Sequence, residues 1–343
     1  MAELYGNRVQ STVQTEYIPF VIDTVLNSNV FFQRTVRGAK KWGGRTIRQS
    51  IKVSKNSTGG SFRGFDTFAV SATDNRQVLE YTPSWYQITS ALPDDELSVA
   101  EAAADKDNAI LDLMRLTLQS DTEDMADDLG TLFYADGTGN AGKDPLGLGA
   151  LVDDGSVVST IGGLSRSTYP TLASTVTASL GTLTLAKLDT LWMAVTSGSQ
   201  KPGVGAATES VFNSYGQLLR PQERINKEAG SMKSMKGGTG FSGLAYNSAT
   251  VLPDEKCTSG MFAFLNEDFI DFYALPKANA KSVKYKNQVE GNDYESPVGL
   301  GFSWSDWIIP TNSASVVGHI YFGGQFIAKN PKRSGKLTGI TGI

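Results

Sequence analysis

One cysteine and one histidine among 343 residues remove several kinds of chemistry at the outset. Cys257 alone cannot form an intrachain disulfide and suits a reducing compartment of synthesis. With His319 as the sole imidazole, a histidine-rich metal site and a cysteine-based zinc cluster are excluded, which leaves carboxylate-type metal binding. No stretch of about 18 apolar residues occurs, so no membrane span is expected. The stretch MAELYGNRVQSTVQTEY lacks the basic-then-apolar layout of a secretory signal. No internal repeat is evident.

What the chain does have is segregated charge. The net charge is only −4 and the charged fraction an ordinary 19%. Residues 34–63 nevertheless hold nine cations and no acid: Arg34, Arg37, Lys40, Lys41, Arg45, Arg48, Lys52, Lys55 and Arg63. Segment 93–136 holds thirteen acids, among them Asp105, Asp112, Asp121, Glu123, Asp124, Asp127 and Asp128, against two cations, Lys106 and Arg115. A basic module is thus followed by an acidic one.

The acidic module reads as one long helix over 94–135. Pro93 suits a first helical position, and the acids after it favour the positive end of the helix dipole. Leu111, Met114, Leu118, Met125, Leu129 and Leu132 recur at helical spacings and form one apolar stripe. Gly130 is expected to weaken the helix and Gly137 to end it. At 1.5 Å per residue such a rod would reach roughly 60 Å.

The basic module reads as one strand of a long hairpin. In TIRQSIKVS, Ile47, Ile51 and Val53 alternate with Arg48, Ser50, Lys52 and Ser54, which puts the cations on one face. RQVLEYTPSWYQITS at 76–90 is the expected return strand, with a glycine-containing tip between. A two-stranded hairpin alone is marginal in water, so this one is expected to lie on something.

Eight glycines between Gly137 and Gly163 mark a loop-rich boundary. Beyond it, TLAKLDTLWMAVTSG predicts a helix capped by Thr184, and ESVFNSYGQLL a strand entering a short helix. MFAFLNEDFIDFYAL, VGLGFSWSDWIIP and SASVVGHIYFGGQFIAK supply aromatic β-rich segments. The fold class is mixed α+β, without the alternation of a doubly wound sheet.

The familiar chemical motifs fail on context. GTGNAG at 137–142 matches a dinucleotide loop but follows a helix, where that loop should follow a strand. Asp153 and Asp154, with Asp144 nearby, read as a turn rather than a cation site. His319 lies in a sheet segment with no nucleophile elbow to serve, Cys257 has no histidine-type partner, and Trp304 and Trp307 read as packing residues. The Asn56-Ser57-Thr58 sequon is discounted, since nothing routes the chain through a secretory pathway.

Three readings of the basic strip remain. It could contact nucleic-acid phosphates, be a solvated face, or dock on the acidic helix of another copy of the chain. The hairpin's need for support favours the third. The negative net charge argues weakly against nucleic acid.

The order of parts resembles the major capsid proteins of tailed bacteriophages. GLGALVDDG before GGLSRSTYP looks like that family's entry into its axial domain, and ATESVFNSYGQLL like its strand-to-helix segment. GMFAFLNEDFIDF resembles its approach to the closing strands, and AKNPKRSGKLTGI its C-terminal strand. The resemblance implies an N-terminal arm at 1–35, an extended loop at 36–92 and a peripheral domain with a spine helix at 93–142 and 263–343. It places an axial domain at 143–262.

It further implies self-assembly into hexamers and pentamers of an icosahedral head enclosing double-stranded DNA. The location would be the virion, after assembly in the host cytoplasm. Partners would be the chain itself, a portal, and separate scaffolding and decoration proteins; packaged DNA would be touched only non-specifically. Neither an enzymatic activity nor a cofactor is implied. A cellular encapsulating compartment of the same fold is the nearest alternative, and a nucleic-acid-binding protein the next. Some relatives carry a cleaved N-terminal scaffold, which this chain is expected to lack. Others join Lys and Asn by isopeptide cross-links; Lys52, Lys55 and Asn330 could be set in those places, but no catalytic carboxylate is recognisable and no cross-link is expected.

Overall fold

The computed structural model describes residues 25, 29–68, 70, 74–102, 106–226, 244–282 and 299–342, with backbone alone at 100, 106–112, 220–226, 281–282 and 299. Two six-stranded sheets organise it. In the first, Ser315–Ala328 is the central ladder: it pairs antiparallel with Ser84–Pro93, Ile270–Ala274 and Phe302–Trp304. Lys281–Ser282 extends the Phe302–Trp304 side, and Lys40–Lys41 lies parallel to Ile270–Ala274. The second sheet runs Leu244–Tyr246, Ala249–Pro253, Val204–Ala207, Phe262–Leu265, Gly335–Leu337, Thr175–Thr177.

The first sheet shares a core with the helix Val30–Arg37 and the long helix Lys106–Tyr134. Phe32, Phe133 and Phe326 meet with ring centroids 5.2–6.1 Å apart, and Phe272 stacks on Phe322 at 5.2 Å. Each ring so buried contributes about 1.5–3 kcal/mol. Met114, Leu118, Met125 and Leu129 are buried along the long helix, as their spacing predicts, with Leu132 half-buried. The side chain of Leu111 lies outside the described residues. A second core joins Leu188, Leu191, Trp192, Val195 and Tyr215 to Phe262 and Phe264 of the second sheet. The helix Leu185–Val195 begins where expected, with Thr184 accepting from the Lys187 amide.

Several expectations are corrected. The acidic segment is not one rod: a helix at Asp94–Glu101 precedes the 29-residue helix Lys106–Tyr134, which spans about 44 Å. Pro93 does not open a helix but ends the strand Ser84–Pro93, opposite Ser315. Gly130 does not weaken the long helix, because its bare Cα is a notch for Asn29. A Cβ there would stand 2.2 Å from Asn29 Oδ1, while Asn29 Nδ2 donates to the Ala126 carbonyl at 2.8 Å. ESVFNSYGQLL is wholly helical within Glu209–Asn226, since Val211 and Tyr215, four apart, bury one face.

The expected return strand 76–90 divides. Arg76–Tyr81 pairs antiparallel with Ile47–Lys52, but Ser84–Pro93 leaves for the first sheet. Pro83 lies at the break, and without an N–H it cannot continue a ladder. The hairpin is therefore six residues per strand, about 20 Å, and not 60 Å. Accordingly 36–92 is not a single extended loop, since Lys40–Lys41 and Ser84–Pro93 belong to the first sheet. Ala263, Phe264 and Leu265 and the strand Gly335–Leu337, expected in the peripheral domain, complete the second sheet; Ile340–Gly342 pairs with Gly181–Thr182. The expected N-terminal arm lies outside the described residues except for Val25 and residues 29–35.

Candidate assembly surface

The hairpin keeps the alternation read from its sequence. Ile51 is buried and Ile47 and Gln49 half-buried, while Arg48, Ser50 and Lys52 are exposed. Its inner face has support in its own chain. Leu79 and Tyr81 are buried, and the Glu80 amide donates to the Gly162 carbonyl at 3.0 Å. Gly162 turns a small hairpin at φ 54°, and a Cβ there would meet Leu79 at 2.8 Å. The base of the hairpin is thus pinned to its own subunit, which supplies part of the support it was expected to need. Beyond Val53, residues 54–68 are exposed apart from half-buried Thr58.

The nine cations separate into two groups. Arg34 forms a two-pronged pair with Glu267 at 2.7 and 2.8 Å, Lys40 donates to Asp271 at 2.8 Å, and Arg48 meets Glu80 across the strands at 2.7 Å. The hydrogen bond to Asp271 holds the Lys40 ammonium above its usual range. Arg37 is half-buried on the helix Val30–Arg37 and has a partner within the chain. Arg34 and, of the cations expected to grip a neighbour, Arg37, Lys40 and Arg48 are therefore already engaged within the subunit. Lys41, Arg45, Lys52, Lys55 and Arg63 are exposed and form no ion pair among the described residues.

Arg76, which the strip-based reading missed, stands directly opposite Lys52. Like charges facing each other across strands destabilise the pair, so this end of the hairpin concentrates positive charge. The signal was available: Arg76 opens the return strand.

The acids divide in the same way. Asp127 pairs with Lys256, and Asp128 accepts from the Tyr86 hydroxyl. Asp121 is half-buried, and burial pushes its carboxyl above the usual range. Glu123 and Asp124 are exposed and form no ion pair among the described residues. Asp105 and the side chain of Asp112 lie outside the described residues.

The discounted chemical motifs behave as local structure. Residues 139–142 form a single distorted turn. Buried Asp153 anchors a largely exposed loop, accepting from the Gly155, Val157 and Val158 amides at 2.9–3.2 Å. Buried Arg166 approaches the same carboxylate at 3.2 Å and Lys336 at 3.9 Å. Burial lowers both cations' affinity for their protons. His319 Nδ1 lies 2.9 Å from the Thr89 hydroxyl, and Trp304 is buried against Trp307. Burial pushes the Cys257 thiol up to about 12. No cluster of metal-ligating side chains occurs among the described residues. No described helix is long and apolar enough to cross a membrane.

By sequence, no known family profile and no curated protein matches the chain. Solved structures do. The capsid asymmetric unit of cyanophage A-1(L) superposes with a TM-score of 0.66 at 16% identity, covering 92% of this chain and 93% of that one. The capsid of the empty GTA particle gives a TM-score of 0.54 at 7% identity, covering 92% and 90%. The SrpI encapsulin of Synechococcus elongatus PCC 7942 gives 0.52 at 12%, covering 88% and 84%. The chain therefore has the fold of subunits that build capsid and encapsulin shells. The likeness spans this chain and the cyanophage and GTA capsid subunits almost end to end.

Proposed function

We propose that this chain is the major capsid protein of a tailed bacteriophage and assembles with itself into the hexamers and pentamers of an icosahedral head around double-stranded DNA. The likeness to the cyanophage A-1(L) capsid subunit along nearly the full length of both chains carries this reading. In it, the hairpin of one subunit lies over its neighbour. Lys41, Arg45, Lys52, Lys55, Arg63 and Arg76 meet neighbouring acids, with Glu123 and Asp124 foremost. One exposed pair contributes about 0–1 kcal/mol, but a repeated array fixes register and orientation. The first sheet with the long helix forms the peripheral domain, and the second sheet forms the axial domain. The subunit works in the virion after assembly in the host cytoplasm, beside a portal and separate scaffolding and decoration proteins. It touches packaged DNA through phosphates only and performs no catalysis.

A compartment shell that packages proteins is the second reading, favoured by the SrpI encapsulin likeness. Particle contents separate the two: nuclease-protected double-stranded DNA supports the phage head, whereas a co-purifying cargo protein without DNA supports the compartment. The test of assembly itself is light scattering with sedimentation on the purified chain, for which uniform particles are expected. A monomer under every condition would overturn the shell. The variant Arg45→Glu, Lys52→Glu, Lys55→Glu is expected to stay folded by circular dichroism and to remain unassembled; particles at wild-type yield would overturn the charge docking.

A further inference from the structure

Three charged side chains are buried together where the hairpin, the first core and the second sheet meet. Asp153 is wholly buried, Arg166 is 2% exposed and Lys336 7%. Each comes from a different module. Asp153 follows the turn Leu148–Leu151, whose leucines share the first core with Phe133 and Tyr134 at the end of the long helix. Arg166 closes the small hairpin that turns at Gly162, its amide donating to the Ser159 carbonyl at 3.0 Å, and that turn pins the base of the long hairpin. Lys336 lies on the strand Gly335–Leu337 of the second sheet. Both cations reach the Asp153 carboxylate. Each also donates to the backbone after the long helix, Lys336 to the Gly149 carbonyl at 3.2 Å and Arg166 to that of Ala150.

Elsewhere the second sheet meets the first core through apolar side chains. Phe262 and Phe264 belong to the second core, while the alternate residues Ala263 and Leu265 belong to the first. Apolar contact is non-directional, so it holds the sheet close without fixing how it is turned. Hydrogen bonds weaken steeply with angle, which makes the charged cluster the directional part of this contact. Stability is a poor account of the cluster. Arg166 Nε has no hydrogen-bond partner among the described residues. Removing one member of such a set is costly, yet replacing the whole set by neutral side chains is often neutral or stabilising.

From these observations we infer that Asp153, Arg166 and Lys336 act as an ionic joint that holds the hairpin and the second sheet at one angle to the first core. The joint needs only its own subunit. Its consequence, that every subunit enters a shell with the same shape, rests on the shell reading above.

The test removes all three charges at once: Asp153→Asn, which keeps an oxygen for the loop amides, with Arg166→Met and Lys336→Met. Nitroxide labels on Ser50→Cys of the hairpin and Met193→Cys of the helix Leu185–Val195, both exposed positions, report the distance between the modules in the unassembled subunit by pulsed electron spin resonance. Cys257 is buried and stays unlabelled. The charged joint is expected to give one narrow distance. The neutral variant is expected to give a broad distribution at unchanged circular dichroism and urea midpoint, and particles of several diameters in place of one. A narrow distance at the wild-type value in the neutral variant overturns the joint and leaves the shell reading standing. A urea midpoint lowered as far as Asp153→Ala lowers it also overturns the joint, since the cluster would then serve stability alone. If the neutral variant does not fold, Lys336→Met alone detaches the second sheet from the Asp153–Arg166 pair, and a narrow wild-type distance there overturns the joint. Uniform particles from a variant whose distances have broadened overturn the consequence for the shell. If the unaltered chain forms no particles, the shell reading falls, and the spin-label distances alone decide the joint.

Discussion

Replacing Gly130 by alanine separates local propensity from tertiary fit. Within the helix Lys106–Tyr134 the substitution should stabilise by about 1 kcal/mol on propensity alone. The structure reverses the sign. The new methyl would lie 2.2 Å from Asn29 Oδ1 and 2.7 Å from Asn29 Cγ, so the buried amide must leave the notch. That breaks its 2.8 Å hydrogen bond to the Ala126 carbonyl, at a cost of about 1–3 kcal/mol for buried polar groups left unpaired. The expected net effect is a loss of up to about 2 kcal/mol. In an Asn29→Ala background the obstacle is gone, and Gly130→Ala should stabilise by about 1 kcal/mol. The assay is urea unfolding followed by circular dichroism, carried out on the unassembled Arg45→Glu, Lys52→Glu, Lys55→Glu variant so that assembly does not add to the apparent stability. A stabilising Gly130→Ala with Asn29 present, or the same effect in both backgrounds, would refute the reasoning.

Three further outcomes are expected. Asp153→Ala leaves Arg166 and Lys336 buried without their carboxylate and should cost about 3–5 kcal/mol in the same unfolding assay, whereas a loss under 1 kcal/mol would show that the carboxylate is dispensable. Cys257, with its thiol pushed up to about 12 by burial, should resist a thiol-specific chromophore at pH 8 in the folded subunit and react stoichiometrically after denaturation. His319 is held below the usual imidazole value by desolvation, with Lys277 adding to it, so its ring-proton resonances should titrate with a midpoint under 6.5. The folded state then binds fewer protons than the unfolded one, so its stability falls as pH drops from about 6.5 to that midpoint and levels off below it.

What could be read from the sequence was whatever is written in local periodicity. Ile47–Lys52 alternates with period two, and the Met114–Leu129 stripe repeats at helical spacing; both appear where they were expected. Pro93 and Gly130 misled because their roles depend on partners far along the chain. Pro93 faces Ser315, and the notch at Gly130 exists for Asn29, 101 positions earlier. Counting charge found the basic strip but could not show which cations were already committed. Lys40 and Arg48 hold acids at 271 and 80, and only the register revealed Arg76 opposite Lys52.

The most direct test of the central claim is a cryo-electron-microscopy reconstruction of particles assembled from the purified chain. The account predicts closed shells of five- and six-membered rings, with each hairpin 47–81 lying over an adjacent subunit. Shells whose hairpins touch only their own subunit would contradict it, as would a chain that forms no shell at all.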